Sequence, residues 1–298
     1  MKTIIDGTGV AIITPFHNYG TVDFTSLGNV INHIIKGGID FIVALGTTSE
    51  AATLSMDEKE AVVNFIKETV DGRVPIVLGC GGNNTHAIVD KIKKLDFNGI
   101  DAILSVAPYY NKPNQKGIYN HFKLIAGASP VPVILYNVPG RTSSNISAET
   151  TLKLSRDFKI IMGVKEASGN MGQIMTILRD RPDGFKVFSG DDALTYPMMT
   201  MGADGVISVA AMGYPEAYSG MVKLLKKKQY DKALSIHFSL MEFIDAIFAD
   251  GNPAGIKAAL SMMGLVKNNL RLPLVKVNKA LQAHLMKIIS GYRLPVKL

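Results

Sequence analysis

Cysteine is almost absent from this sequence. Cys80 is the only one among 298 residues, so the chain cannot form an internal disulfide. A chain that folds without disulfides suits a reducing compartment, and we expect a cytoplasmic location. Cys80 itself ends an apolar run, "IVLGCGG", where a small buried thiol is more common than a nucleophile.

Long apolar runs and cofactor motifs are missing as well. No run approaches the roughly 20 apolar residues of a membrane helix, and Asp6 interrupts the N-terminal run before a signal peptide could form. The histidines lie far apart without a His-x-His or His-Glu-x-x-His spacing, so only a metal held by distant ligands stays open. "GCGGNN" lacks the full Gly-x-Gly-x-x-Gly pattern of a dinucleotide fold. We expect a soluble protein that has no membrane partner, and these missing motifs argue against a metal and against a nicotinamide cofactor.

The net charge is +7, but the basic residues are scattered. One short cluster, Lys223 to Lys228, falls on a helical pattern and is interpreted as a solvated face. We do not expect a nucleic-acid partner, because such partners select a concentrated basic patch. A positive surplus also favours small anionic substrates through long-range attraction.

Eight short apolar runs recur along the chain with helical patterns between them. Their starts lie about 20 to 35 residues apart, which is the spacing of a βα unit. The runs are hydrophobic throughout, as parallel strands are when helices cover one side and barrel packing covers the other. We predict a (β/α)8 TIM barrel with strands that begin near Gly9, Asp40, Val74, Asp101, Val131, Lys159, Phe185 and Ala203.

The intervening segments have the periodicity of amphipathic helices. From residue 214 onward only helical patterns remain. We therefore predict a barrel over residues 1–213 that carries the active site, and a helical extension over residues 214–298 that packs on it. The first predicted helix ends at Gly37-Gly38 and has one apolar stripe of Leu27, Val30, Ile31, Ile34 and Ile35.

Polar residues collect where the predicted strands end. In a parallel barrel these C-terminal ends form one rim, where loops bring reactive side chains together. Alternation along the strands places Thr47, Tyr136 and Lys165 toward the barrel axis, and Gly163 would leave room for the lysine stem. Five strands contribute to the rim, through Thr47, Thr48 and Glu50, Tyr109 and Tyr110, Tyr136 and Arg141, Lys165 and Glu166, and Asp191 and Asp192.

Each of these residues also has an ordinary structural interpretation. Lys165 could reach solvent from its strand end, and Tyr110 and Tyr136 could be half-buried aromatics. The threonines could belong to a capping box in "TTSE". Asp191 and Asp192 most simply cap the next helix. The coincidence of lysine, tyrosine, threonine and arginine at one rim nevertheless favours a catalytic site.

These residue types suit imine chemistry on a keto acid. A lysine shielded from water has a lowered pKa, because its charged form loses hydration, and the neutral amine attacks carbonyl carbons. A tyrosine phenol backed by a threonine hydroxyl suits a proton shuttle. The substrate carboxylate would be held by backbone N–H groups of "GTTS" or by the guanidinium of Arg141. The residues describe an imine-forming lyase or aldolase.

Five motifs in order, "GTTSE", "APYYNKPNQKG", "LYNVPGRT", "GVKEASG" and "GADGVISVAA", resemble those of the dihydrodipicolinate synthase and N-acetylneuraminate lyase family. The resemblance covers essentially the whole chain. It is strongest to the members that condense pyruvate with L-aspartate-4-semialdehyde to 4-hydroxy-tetrahydrodipicolinate, in lysine and diaminopimelate biosynthesis. It implies a Schiff-base lyase that forms a covalent imine with pyruvate and needs no cofactor.

The resemblance also implies a role for each rim residue. Lys165 would form the Schiff base, and Tyr136 would donate and accept protons. Thr47 and Tyr110 would complete a proton relay. In this family the tyrosine at the position of Tyr110 enters the neighbouring subunit's site, which implies a homotetramer built as a dimer of dimers. The implied substrate contacts are Thr48 at the pyruvate carboxylate, Ile207 in the pyruvate pocket and Arg141 at the carboxylate of aspartate semialdehyde.

Two departures from the family pattern concern a turn and an allosteric region. Ser49 stands where the family commonly has glycine, which requires a backbone angle that serine can adopt. Relatives inhibited by lysine tend to have histidines and a glutamate where this chain has Met56, Lys59 and Ala87, although Asn83 is retained. Because a carboxylate is lost and a positive charge is added, we predict weak or absent inhibition by lysine.

Two other functions stay open from the sequence. The first is another pyruvate-dependent aldolase or lyase of the same family, acting on a sugar acid or on hydroxyoxoglutarate, which Arg141 argues against. The second is a barrel that binds keto acids without turnover. A binding protein has no need of a nucleophile and a proton relay together, so this alternative is the weaker one.

Overall fold

Eight parallel strands pair in chain order and close into a barrel in the computed structural model, which describes residues 5–296. This confirms the predicted (β/α)8 barrel. Most strand residues are buried, as parallel strands covered on both faces should be. The strands are β1 (Gly7–Ala11), β2 (Phe41–Ala44), β3 (Ile76–Gly79), β4 (Ala102–Val106), β5 (Val133–Asn137), β6 (Ile161–Glu166), β7 (Lys186–Ser189) and β8 (Gly205–Ser208).

Helices follow the strands and continue after the last one, which confirms the helical C-terminal extension. Those within the barrel sequence are α1 (Phe24–Lys36), α2 (Met56–Val70), α3 (Thr85–Lys94), α4 (Gln115–Ala128), α5 (Pro139–Thr142), α6 (Ala148–Asp157), α7 (Met171–Asp180) and α8 (Thr195–Thr200). Those that follow β8 are α9 (Pro215–Lys226), α10 (Tyr230–Ala249), α11 (Ala254–Met262) and α12 (Lys279–Gly291).

The start and stop signals of the first two helices act as simple capping rules predict. Asp23 caps α1 by accepting a hydrogen bond from the Ser26 N–H at 3.0 Å, and Gly37 is the C-cap that follows its last residue, Lys36. Four residues of the predicted stripe are buried, whereas Ile35 is half-buried. The capping box lies at the start of α2, where Ser55 and Glu58 bond each other's N–H groups.

The elements fall into two compact units. One contains residues 7–74 and 208–296, and there α9 packs against β1 and α1 while α10 packs against α9, α11 and α12. The other contains residues 5–6 and 75–207, with five consecutive strand pairings from β3 to β8. The division of the chain at residue 213 stays a prediction. The outer ends of the two predicted domains, residues 1–4 and 297–298, lie outside the described residues.

Three expectations from the sequence concern Cys80, membrane-spanning helices and metal ligands. Cys80 is buried, and burial raises the pKa of its thiol, in agreement with a core role. Between residues 5 and 296, no helix is long and apolar enough to cross a membrane. Within the same range, no three histidine, cysteine, aspartate or glutamate side chains are grouped as metal ligands would be.

Candidate active site

Lys165 lies near the C-terminal end of β6 and is only 5% exposed. Its amine nitrogen, Nζ, lies 4.4 Å from the centroid of the Tyr136 ring. β5 and β6 pair in a register that sets these two residues side by side, and Tyr136 is also buried. The structure therefore brings together the predicted nucleophile and the predicted proton donor. The alternative in which Lys165 reaches solvent is wrong.

The space for the lysine stem comes from a different glycine than the sequence indicated. A Cβ built on Gly190, just after β7, would lie 3.0 Å from both Cγ and Cε of Lys165. A Cβ on Gly163 would instead lie 2.5 Å from the carbonyl oxygen of Lys186. Gly163 thus permits close packing of neighbouring strands, and Gly190 accommodates the lysine.

Tyr110 lies in the loop between β4 and α4, and its side chain is 88% exposed. The interpretation of Tyr110 as a half-buried aromatic is therefore wrong. Its φ is 73°, a left-handed value that is unfavourable for a bulky residue. The Tyr109 carbonyl holds the loop by accepting hydrogen bonds from Asn83 Nδ2 at 3.2 Å and from the Asn111 N–H at 2.9 Å.

Thr47, Thr48 and Ser49 form a short 3-10 turn that is separated from the end of β2 by two residues. Thr47 is exposed and Thr48 is buried. Thr48 Oγ1 accepts a hydrogen bond of 2.9 Å from Asn252 Nδ2. Because Asn252 donates to the Thr48 oxygen, the Thr48 hydroxyl proton points away from Asn252 and is free to be donated to a separate acceptor.

Serine fits at position 49. The left-handed angles of this segment fall on Leu45 and Glu50, with φ of 52° and 55°, and Ser49 lies within the 3-10 turn. Ser49 Oγ donates to the Gly46 carbonyl at 2.7 Å, which strengthens the turn. Glu50 ends the turn, so "TTSE" is not a capping box.

A buried ion pair supports this turn. Glu50 accepts a hydrogen bond from Lys257, and both side chains are fully buried. Lys257 also donates to the Asn269 carbonyl at 3.0 Å and lies over the Phe16 ring. Burial lowers the pKa of Lys257 to about 8, and the charge of Glu50 opposes that shift. The second carboxylate oxygen of Glu50 accepts from the Arg271 N–H at 3.0 Å.

A second buried carboxylate, Glu166, follows the predicted nucleophile. It accepts hydrogen bonds from Asn137 Nδ2, the Ser168 N–H and Gln173 Nε2, at distances of 2.8 to 3.1 Å. Glu166 lies at the predicted rim without a predicted role, and nothing in the sequence singled out Asn137 or Gln173. No local pattern distinguishes Asn137, because it reaches Glu166 from the neighbouring strand, 29 positions earlier in the chain.

The remaining predicted residues occupy separate positions. Arg141 lies in α5 with an exposed side chain, and Ile207 is buried in β8. α8 begins after Leu194 without a side-chain cap, so Asp191 and Asp192 are not its caps. Asp191 Oδ1 instead accepts from the Ala193 N–H at 3.0 Å.

Known proteins that resemble this chain belong to the family that its motifs indicate. The chain matches the model of the Dihydrodipicolinate synthetase family over residues 5–292. A 4-hydroxy-tetrahydrodipicolinate synthase of Flavobacterium psychrophilum is 51% identical over 279 residues, which are 94% of this chain and 95% of the relative. These matches confirm the resemblance inferred from the five motifs.

Solved structures agree in fold as well. The chloride-inhibited dihydrodipicolinate synthase of Acinetobacter baumannii, complexed with pyruvate, has a TM-score of 0.93 at 37% identity, covering 97% of this chain and 100% of that chain. A structure described as the first monomeric dihydrodipicolinate synthase variant has a TM-score of 0.94 at 35% identity, covering 97% of each chain. The sequence motifs, the closed barrel and these matches together show that the chain belongs to the dihydrodipicolinate synthetase family.

Proposed function

We propose that the chain condenses pyruvate with L-aspartate-4-semialdehyde to give 4-hydroxy-tetrahydrodipicolinate, through a Schiff base on Lys165. The observation that carries this proposal is the buried Lys165 amine, 4.4 Å from the centre of the Tyr136 ring. The relative from F. psychrophilum bears the name of this activity. The activity predicted from the sequence is thus confirmed, and the roles of the individual residues are our proposal.

The chemistry of the proposal needs a neutral amine and a movable proton. The Lys165 amine attacks the keto carbon of pyruvate, and loss of water leaves an imine. The imine withdraws electrons, so the pyruvate methyl group loses a proton and becomes a nucleophilic enamine. The enamine carbon attacks the aldehyde, and Tyr136 returns a proton to the new alkoxide. The amino group that came with aspartate semialdehyde then attacks the imine carbon, which closes the ring and releases the Lys165 amine. Since the imine itself accepts the electrons, the reaction proceeds without a cofactor.

The other roles come from the family resemblance. Thr47 and Tyr110 would pass protons between Tyr136 and solvent. The hydroxyl of Thr48, whose direction Asn252 restricts, would donate to the pyruvate carboxylate. The remaining contacts would be Arg141 with the carboxylate of aspartate semialdehyde and Ile207 with pyruvate.

We further propose a homotetramer, built as a dimer of dimers, in which Tyr110 enters the neighbouring subunit's site. Two observations on Tyr110 support this assembly: the ring is 88% exposed, and its backbone is held at an unfavourable φ of 73°. A monomeric variant is described for another member of the family, so the assembly of this chain has to be measured. We place the enzyme in the cytoplasm, in keeping with its one buried cysteine.

The alternatives are less well supported. The curated relative is named for the synthase reaction, which favours aspartate semialdehyde over a sugar aldehyde as second substrate. A keto-acid-binding barrel without turnover would not need the arrangement of Lys165 and Tyr136. Weak or absent inhibition by lysine stays a prediction, and half-inhibition at submillimolar lysine would contradict it.

Borohydride trapping tests the proposal. After incubation with pyruvate and reduction, peptide mapping should find the adduct on Lys165 and none on Lys257, a second buried lysine that is held by Glu50. Tyr136→Phe should retain the adduct and lose about 100-fold or more in kcat, which is the usual contribution of general acid–base catalysis. An adduct elsewhere, or none, contradicts the proposal. Rates with aspartate semialdehyde and with sugar aldehydes then identify the second substrate.

A further inference from the structure

Glu166 is a buried carboxylate with neutral hydrogen-bond donors, one residue beyond the proposed nucleophile. It is 1% exposed. Asn137 Nδ2 lies 3.1 Å from each carboxylate oxygen, the Ser168 N–H donates to Oε1 at 2.8 Å, and Gln173 Nε2 donates to Oε2 at 3.0 Å. Burying a carboxylate costs free energy unless donors surround it, and every partner of Glu166 is a donor, so this environment suits a group that only accepts hydrogen bonds.

The carboxylate sets the direction of a relay of side-chain amides. Because an ionised carboxylate only accepts, Asn137 and Gln173 must both turn their NH2 groups toward Glu166. Gln173 then offers its oxygen to Asn145 Nδ2 at 2.8 Å, and Asn145 offers its oxygen to Asn137 Nδ2 at 2.8 Å. The oxygen of Asn137 accepts from the Ile146 N–H at 2.9 Å. One negative charge thus orients three amides.

The relay is joined directly to the reactive pair. β5 and β6 pair Tyr136 with Lys165 and, one step later, Asn137 with Glu166. Successive residues of a strand point to opposite faces of the sheet. Asn137 and Glu166 therefore lie on the face opposite to that of Tyr136 and Lys165. The same strand ends are tied by the backbone bond from the Ala167 N–H to the Asn137 carbonyl, at 2.8 Å.

We propose that Glu166 is a positioning residue for catalysis, which acts through Asn137 to fix the spacing of Lys165 and Tyr136. The inference rests on the proposed Schiff-base function. Glu166 touches neither substrate nor reacting atoms in this role. Its carboxylate holds the ends of β5 and β6 in one register, and the amide relay anchors them to α7 through Gln173.

Replacing the Glu166 carboxylate by an amide turns one acceptor of this network into a donor. Glu166→Gln replaces an acceptor by a donor that faces the NH2 group of Asn137 and either the Ser168 N–H or the NH2 group of Gln173. The two strand ends then shift to relieve the contact. A displacement of about 1 Å in a reacting group costs on the order of 100-fold in rate, so we expect kcat to fall about 10- to 100-fold. KM for pyruvate should change less than about threefold, since its carboxylate ligands lie elsewhere.

A swap of the two groups should restore the relay. In the double variant Asn137→Asp/Glu166→Gln, the acceptor-only group moves from β6 to β5. The amide at position 166 then donates to the carboxylate at position 137 and to Gln173 Oε1. The side-chain amides of Gln173 and Asn145 both flip, so that their oxygen and nitrogen atoms exchange positions. The Ser168 N–H still finds an oxygen at position 166. The hydrogen bonds between side chains then run in the opposite direction, the Ser168 and Ile146 N–H groups keep theirs, and only the bond at the former Oε1 position is lost. We therefore expect kcat within about fivefold of the unmodified enzyme, since double-variant recovery measures the coupling.

The experiment measures kcat, KM for pyruvate, the rate of borohydride trapping and thermal unfolding for both variants. Glu149→Gln, an exposed carboxylate at the start of α6, is the matched control for loss of charge. A large loss of kcat in Glu166→Gln, beyond its loss of folded protein, and recovery in the swap support the proposal. If Glu166→Gln does not fold, the swap alone decides.

Three results overturn the proposal. One is a kcat for Glu166→Gln equal to that of Glu149→Gln. Another is a swap that regains thermal stability without regaining kcat, and the third is a swap that does not fold. Failure of the proposed function is distinguishable, because the unmodified enzyme would then give no pyruvate adduct on Lys165.

Discussion

Glu50 and Glu166 are both buried carboxylates close to proposed active-site residues, but they are held in opposite ways. Glu50 is paired with the ammonium of Lys257 and bonded by the Arg271 N–H. Glu166 is surrounded by two side-chain amides and a backbone N–H, all neutral. One carboxylate is balanced by charge and the other by the direction of its hydrogen bonds.

The difference teaches what each arrangement can do. A charged pair supplies strong attraction with loose angular demands, and breaking it leaves an uncompensated charge inside the protein. Neutral amides supply weaker bonds whose directions are strict, so they define geometry more than stability. We therefore expect changes near Glu50 to appear mainly in folding and binding, and changes near Glu166 to appear mainly in the catalytic rate.

The largest expected effect on stability follows from removing the charge that pairs with Glu50. Lys257→Met keeps much of the side-chain volume and leaves the Glu50 carboxylate buried without its cation. We expect a loss of about 3 to 5 kcal/mol in the free energy of unfolding, measured by urea denaturation. The double variant Lys257→Met/Glu50→Gln should recover much of that loss, because the remaining group is neutral.

Lys123→Met, on an exposed face of α4, is the control for this substitution. It should change stability by less than about 0.5 kcal/mol. If Lys257→Met were no more destabilising than Lys123→Met, charge would not be what holds Glu50, and the contrast with Glu166 would disappear.

A smaller effect is expected from the amide that contacts Thr48. Asn252→Ala removes the donor to Thr48 Oγ1, a hydrogen bond of 2.9 Å. One such bond contributes about 0.5 to 1.5 kcal/mol, so KM for pyruvate should rise about two- to tenfold with little change in kcat. Steady-state kinetics of Asn252→Ala beside Glu166→Gln would show opposite patterns. A fall in kcat at constant KM for Asn252→Ala would refute the assignment.

The smallest expected effect concerns acid stability near the Glu50 turn. Arg271 donates to Glu58 and lowers its pKa from 4.5 to about 2. Because the folded state favours ionised Glu58, this stabilisation is complete above pH 4.5 and is lost as the pH falls toward 2. The pair is partly exposed, so we expect about 0.5 kcal/mol. Glu58→Gln should flatten the pH dependence of unfolding in that range, and an unchanged slope would exclude this contribution.

The sequence was informative wherever the signal was local. Eight apolar runs predicted the barrel, and the polar residues at the ends of these runs predicted the neighbouring positions of Lys165 and Tyr136. It was wrong about Gly163, and it offered no reason to single out Gly190. The stem of Lys165 packs against Gly190, just after the next strand, β7. The strand register that decides such contacts cannot be derived from alternation within one strand.

By itself, the sequence determined the order of strands and helices, the family and the residue types of the site, since each depends on neighbouring residues or on ordered motifs. Only the tertiary structure decided the partners of Glu166 and Glu50. Those contacts join residues up to 221 positions apart, such as Glu50 with the Arg271 N–H. Hydrogen-bond direction and charge compensation are properties of atoms brought together by folding, so no local pattern records them.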